Sequence, residues 1–92
     1  MQNIINAIIE AQDTNNLRVL ESALNAAGLT ADLRMRRTTE EHVYIPGYGM
    51  VVLDDKHGGW WVRNLDDCDS AIEADDLARE LAQLCEYAQA VA

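Results

Sequence analysis

His42-Val43-Tyr44-Ile45-Pro46-Gly47-Tyr48-Gly49-Met50-Val51-Val52-Leu53, residues 42–53, is the stretch whose reading decides the fold. Val43 and Ile45 alternate with His42 and Tyr44, the two-residue period of a half-buried strand. Pro46-Gly47 then predicts a turn, with glycine at the position that needs positive φ. Met50 to Leu53 reads as a short apolar strand returning from it. On the N-terminal side, Leu33 and Met35 alternate with Asp32, Arg34 and Arg36, and Thr38 to Glu40 supplies a turn. On the C-terminal side, Asp54-Asp55-Lys56-His57-Gly58-Gly59 is a polar, glycine-rich hairpin loop, and Trp60 to Leu65 is the strand that follows.

Helical spacing flanks this block. Ile4, Ile5, Ile8, Ile9 and Ala11 predict a first helix, and Leu17, Leu20, Ala23, Leu24 and Ala27 a second. Thr14 or Asn15 is the expected N-cap of the second helix. Gly28 sits where a helix ends on a left-handed residue, with Leu29 as its hydrophobic contact. Two helices joined this tightly pack as a hairpin. Near the C-terminus, Asp75 is the expected N-cap and Asp76 favours the helix dipole. Leu77, Leu81, Leu84, Cys85, Ala88 and Val91 make the apolar stripe of a helix over about residues 75–90. Ser70 to Ala74 reads as an optional short edge strand with Ile72 pointing inward, outside the main four. The fold expected is α+β, a four-stranded antiparallel sheet with helices on one face, in the order α-α-β-β-β-β-α. Ninety-two residues make one domain, residues 1–92, since a chain this small supports a single core.

Strand parity then divides the sheet into two faces. Leu33, Met35, Val43, Ile45, Trp60 and Val62 point toward the helices. The uncovered face displays Arg34, Arg36, His42, Tyr44, Trp61 and Arg63. Aromatic and arginine side chains together on an open sheet suit a protein contact, because Trp, Tyr and Arg dominate binding hot spots. They also suit stacking of single-stranded bases. Against both stands a purely structural reading, in which the arginines pair with Asp32 and Glu41 and Trp61 tucks under a loop.

Charge is distributed unevenly. Of the formal net charge of −9, residues 66–92 contribute −7, from eight acids and one base. Asp66, Asp67, Asp69, Asp75 and Asp76 concentrate there, whereas five of the seven bases (Arg34, Arg36, Arg37, Lys56, Arg63) fall between residues 30 and 65. Such a block attracts a basic partner and speeds encounter with it. The pI of about 4.3 argues against phosphate neutralisation by the chain as a whole.

Catalytic signatures are missing from the sequence. His57 beside Asp54 and Asp55 lacks a third fixed metal ligand, and neither a P-loop nor a G-x-S-x-G or H-E-x-x-H pattern occurs. Cys68 and Cys85 have no metal or redox spacing. No cofactor, metal, catalytic residue or small-molecule substrate is expected. The first base is Arg18, so the opening Met-Gln-Asn-Ile-Ile-Asn has no basic leader. Nor does any apolar run approach the roughly 20 residues that span a bilayer. A cytosolic, reduced chain is the expectation.

From Met-Gln-Asn-Ile-Ile-Asn-Ala-Ile-Ile-Glu to Leu-Cys-Glu-Tyr-Ala-Gln-Ala-Val-Ala, the whole chain resembles the small phage-encoded anti-CRISPR proteins that act on type I-F CRISPR–Cas systems. The resemblance rests on overall sequence and size rather than on a shared motif, so it transfers no residue role. It implies a non-enzymatic inhibitor in the cytoplasm of the infected bacterial host. Such an inhibitor binds protein subunits of the guide-RNA surveillance complex, with guide RNA as a further contact, and blocks target DNA. The alternative from another class is an acidic adaptor or homodimeric interaction domain.

Overall fold

Alternation at period two, set between helical stripes, produces one sheet with helices on a single face. A computed structural model of the chain describes residues 2–36, 40–54, 59–63 and 69–91. His57, Asp66, Asp67, Cys68 and the Thr38–Thr39 turn lie outside the described residues, as do the side chains of Arg36 and Asp69. The elements are α1 (Gln2–Asp13), α2 (Leu17–Ala26), β1 (Asp32–Arg36), β2 (Glu40–Ile45), β3 (Gly49–Asp54), β4 (Gly59–Arg63), β5 (Asp69–Ile72) and α3 (Ala74–Val91).

The sheet has five strands, not four. They lie in chain order, β1-β2-β3-β4-β5, each antiparallel to its neighbours. The added strand is Asp69–Ile72, which overlaps the short edge strand read at Ser70 to Ala74 but left out of the four-stranded order. Its pairing with β4, Trp60 opposite Ile72 and Trp61 opposite Ala71, makes it a full member of the sheet.

Register places Leu33 opposite Val43, Val43 opposite Val51, and Val51 opposite Val62. Directly paired residues share a face, so these four form an apolar ladder beneath the helices. Val43 and Val51 are fully buried, while Leu33 and Val62 pack against the core from its margin. Leu53, Trp60 and Ile72 form a second, shorter row of the same parity. α2 lies over β1 and β2, α3 contacts β4, and α1 packs against both α2 and α3. Ile8, Leu20, Leu24, Leu77, Leu81 and Cys85 bring the helical stripes into this core at 0% exposure. Burial pushes the Cys85 thiol up from its ordinary pKa, away from the reactive thiolate. Met35 departs from its expected inward place. It shares the parity of Leu33 but is 56% exposed, because β1 is an edge strand and Met35 lies toward its end.

Local capping corrects two helix starts. α2 is capped by Asn16, not Thr14 or Asn15; its Oδ1 accepts the Arg18 N–H at 2.9 Å. Asn15 instead takes φ 51 and ends α1, while the Thr14 hydroxyl donates to the Ala11 carbonyl at 2.6 Å. Asp75 lies inside the first turn of α3, and the Leu77 N–H reaches back to the Glu73 carbonyl at 2.9 Å. Asp75 and Asp76 therefore act on the dipole rather than as caps. The end of α2 follows expectation. Gly28 has φ 95, and the N–H groups of Gly28 and Leu29 bond the Asn25 and Leu24 carbonyls in the Schellman pattern.

Four polar tethers fasten the helices to the sheet and to each other. The Asn25 amide both donates to the Ala31 carbonyl and accepts the Ala31 N–H, each at 2.9 Å. Glu21 accepts the N–H of Leu33, covering part of an edge strand that would otherwise invite pairing. Gln89 donates to the Ala27 carbonyl at 2.5 Å. The Tyr48 hydroxyl, in the β2–β3 turn, donates to the Glu80 carboxylate of α3 at 3.0 Å. Among the described residues, Gln12 stands out against polar satisfaction. It is 2% exposed, and neither side-chain amide atom has a hydrogen-bond partner.

Two substitutions should move stability in opposite directions. Leu81→Ala should cost about 2–5 kcal/mol, as expected for a buried leucine. Gln12→Met should stabilise by about 1 kcal/mol or more, because it removes a buried amide without partners at similar volume. Urea unfolding checks both, and a destabilised Gln12→Met would mean that the amide is satisfied in solution. Tyr48 adds a pH test. Burial first, and then the Glu80 carboxylate, raise its pKa above the ordinary value. The folded state thus holds the phenolic proton more tightly than the unfolded chain does. Its contribution is intact below about pH 10 and is lost as pH rises toward the folded value. The urea midpoint should fall above about pH 10, and less steeply in Tyr48→Phe; equal slopes would contradict the assignment.

Candidate functional site

The face turned away from the helices carries the residue types that parity assigned to it. Asp32, Tyr44, Met50, Arg63 and Asp69 occupy successive paired positions across all five strands. A second row runs beside them, with Arg34 opposite His42, and Val52, Trp61 and Ala71 in register on β3, β4 and β5. Tyr44, Met50, Val52 and Trp61 are only half-buried and stand apart from the core cluster. They form an apolar and aromatic centre flanked by Asp32 and Arg34 on one side. Met50 and Val52 were not legible as members, because a purely apolar strand shows no alternation; only its register assigns them.

Trp60 and Trp61 divide as parity requires. Trp60 is 6% exposed within the core, whereas Trp61 lies on the opposite face and is half-buried.

The two ends of the arginine set behave differently. Arg34 is exposed but not unoccupied. Its guanidinium sits 4.4 Å from the Tyr44 ring centroid, and its Nη2 lies 3.3 Å from the Asp32 carboxylate. An aromatic face and a carboxylate thus hold one cation, an arrangement worth about 0.5–1 kcal/mol at an exposed position. Pairing with Asp32 agrees with the structural reading of this arginine, although the partner lies on the same strand. Glu41 is not a partner for this face: it is opposite Met35, on the helix side. Arg63 is half-buried and engaged by another group.

His42 corrects an expectation. It has outward parity, yet it is 6% exposed and engaged by another group. β2 is an interior strand, so side chains of both neighbouring strands shield it. It therefore serves the face as a foundation rather than as a contact.

The acidic residues divide as well. Asp75 and Asp76 are exposed on the first turn of α3, and the Asp76 carboxylate lies 3.7 Å from Arg79. Asp69 falls on β5, opposite Arg63. At the β4–β5 corner a groove of about 350 Å³ opens beside Trp61, lined also by Gly59, Trp60, Ala71, Ile72, Glu73 and Ala74, so that residues of both parities border it. Sequence reasoning did not bring Gly59, Ala71 and Glu73 together, since they meet only through the pairing of β4 with β5. Among the described residues no cluster of His, Cys, Asp and Glu is arranged to hold a metal ion.

The tryptophan pair tests the whole assignment of faces. Trp60→Ala should destabilise by about 3–5 kcal/mol. Trp61→Ala should cost about 1 kcal/mol or less, the scale of a cross-strand surface pair. Similar large losses in both variants would show that Trp61 is as structural as Trp60.

No helix among the described residues is long and apolar enough to cross a membrane. No protein-family model matches the chain, and no curated protein or solved structure matches it.

Proposed function

We propose that this chain is a non-enzymatic anti-CRISPR inhibitor, which binds the type I-F guide-RNA surveillance complex and blocks its hybridisation to target DNA. The observation that carries a binding role is the open sheet face. A small domain leaves Tyr44, Met50, Val52 and Trp61 together outside its core, beside the charged residues Asp32 and Arg34. Aromatic anchors ringed by charge have the composition of a protein-binding surface. The resemblance of the chain to the type I-F inhibitors supplies the identity of the partner.

Electrostatics fit the same reading. A complex that accepts an RNA–DNA heteroduplex needs a positively charged channel. A chain with net charge −9, most of it in residues 66–92, is attracted to such a channel and competes with DNA phosphates for it. Contact with guide RNA would fall to the aromatic residues of the open face, and the site of action would be the cytoplasm of the infected bacterium. Met35, 56% exposed on edge strand β1, favours the second reading, a homodimeric interaction domain.

The test is competition. Purified surveillance complex carrying its guide RNA is incubated with the protein, and target-DNA binding is measured by gel shift. DNA binding should be lost at saturating protein, and Trp61→Ala should weaken the inhibition by tenfold or more if Trp61 is a hot spot, about 1.4 kcal/mol. Replacing Asp75 and Asp76 by Asn should slow association and flatten its salt dependence. Undiminished DNA binding would overturn the proposal, and a molecular mass that doubles with concentration would favour the homodimer.

A further inference from the structure

We infer that β1 pairs with β1 of a second copy of this chain, antiparallel and centred on Arg34, in competition with Glu21 for the Leu33 N–H. Backbone direction in β1 is fixed by that glutamate. The Leu33 N–H is bonded by Glu21 of α2, not by β2. Leu33 and Val43 are thus a non-hydrogen-bonded pair of the antiparallel ladder, and Met35 with Glu41 is the next such pair along the strand. The backbone N–H and C=O groups of Leu33 and Met35 therefore point out of the sheet edge, away from β2.

Protection of that edge is uneven. Asn25 closes it at Ala31, donating to the carbonyl and accepting the N–H at 2.9 Å each. Glu21 closes it at the Leu33 N–H. Met35 receives no tether from α2 among the described residues, and it is 56% exposed. A row of outward backbone groups is a template for another strand.

The order Asp32-Leu33-Arg34-Met35-Arg36 is complementary to itself. Antiparallel pairing about Arg34 sets Leu33 opposite Met35 and Asp32 opposite position 36, an arginine, on both sides of a two-fold axis. Each Leu33–Met35 pair then exchanges both of its outward hydrogen bonds. On the helix side, Met35 of the second copy extends the ladder of Leu33, Val43, Val51 and Val62. On the open side an acid stands opposite a base. Neighbouring registers are worse. Centring on Met35 sets Arg34 opposite Arg36, and centring on Leu33 needs the Ala31 groups that Asn25 holds. Arg34 does meet its own copy, but its charge is already held by the Tyr44 ring at 4.4 Å and by Asp32 at 3.3 Å. Long-range repulsion does not forbid the approach. β5 lies at the opposite edge of the sheet, about 19 Å from β1, against a screening length of about 8 Å.

Five residues from each copy fall short of the roughly 20–30 a side of a standard interface, so the dimer is weak and reversible. Glu21 sets its strength, because the Leu33 N–H must leave the carboxylate before it can pair. Pairing at β1 leaves Met50, Val52 and Trp61 uncovered, so it holds whichever partner the open face binds. Sedimentation equilibrium from micromolar to millimolar protein is the test. The average mass of the wild-type protein should rise with concentration, and Glu21→Ala should tighten association by about tenfold or more. Asp32→Arg, which sets arginine opposite arginine, should abolish association, and Asp32→Arg combined with Arg36→Asp should restore it. Thermal melting confirms that the variants are folded, and the Asp32 and Arg36 variants decide if Glu21→Ala is not. A wild-type protein that stays monomeric at millimolar concentration, unchanged or weaker association in folded Glu21→Ala, undiminished association in Asp32→Arg, or no recovery in the double variant would each overturn the inference. Inhibition of target-DNA binding is read in a separate assay, and its failure would leave these masses unchanged.

Discussion

Leu33, Val43, Val51 and Val62 stand in register across four strands, and the remaining structure depends on that ladder being covered from one side. Each helix brings an apolar stripe to it or to a helix already seated there. Successive side chains of a strand point to opposite faces. Committing these residues to the helices therefore commits Asp32, Tyr44, Met50 and Arg63 to the other face. A shift of one residue would exchange the two rows and drive charged groups into the core. The face left uncovered by the helices is thus a consequence of core packing.

Polar contacts sharpen what burial begins. Hydrophobic association is non-directional, and it would tolerate several placements of three helices on one sheet. Asn25 with Ala31, Glu21 with Leu33 and Tyr48 with Glu80 join helices to particular points of the sheet or its loops. Gln89 joins α3 to the end of α2. Gly28 allows that last approach: a Cβ there would lie 3.2 Å from the Gln89 side chain, on a backbone with φ 95. Buried Gln12, with no partner for its amide, runs against this pattern and is the clearest local weakness of the helical layer.

Charge on the open face is organised at close range as well as along the chain. Arg34 is held by Tyr44 and Asp32, which lowers its freedom and orders that side of the face. At the opposite edge Trp61 and Arg63 are each engaged by another group. Long-range attraction of an acidic region acts on encounter rate, whereas close contacts act on the lifetime of a complex. In the proposed complex Asp75 and Asp76 would contribute to the first effect and Trp61 to the second.

The amino-acid sequence by itself determined the element types, the antiparallel sheet, the helix-covered face and the opposite fates of Trp60 and Trp61. Each of these follows from local periodicity, and a run such as Val43-Tyr44-Ile45 satisfies only one period. Gly28 was legible for the same reason, since a left-handed helix end has a local sequence signature. Tertiary structure decided the rest. β5, legible only as an optional edge strand, became a full member of the sheet by pairing with β4. His42 was buried by flanking strands, and Met35 was exposed because β1 is an edge. Arg34 found Tyr44 across the β1–β2 pair. The corner groove required Gly59, Trp61, Ala71 and Glu73 to meet from two strands and the residue beyond one of them. Local spacing specifies which way a side chain points, but only the pairing of distant segments specifies what it meets there.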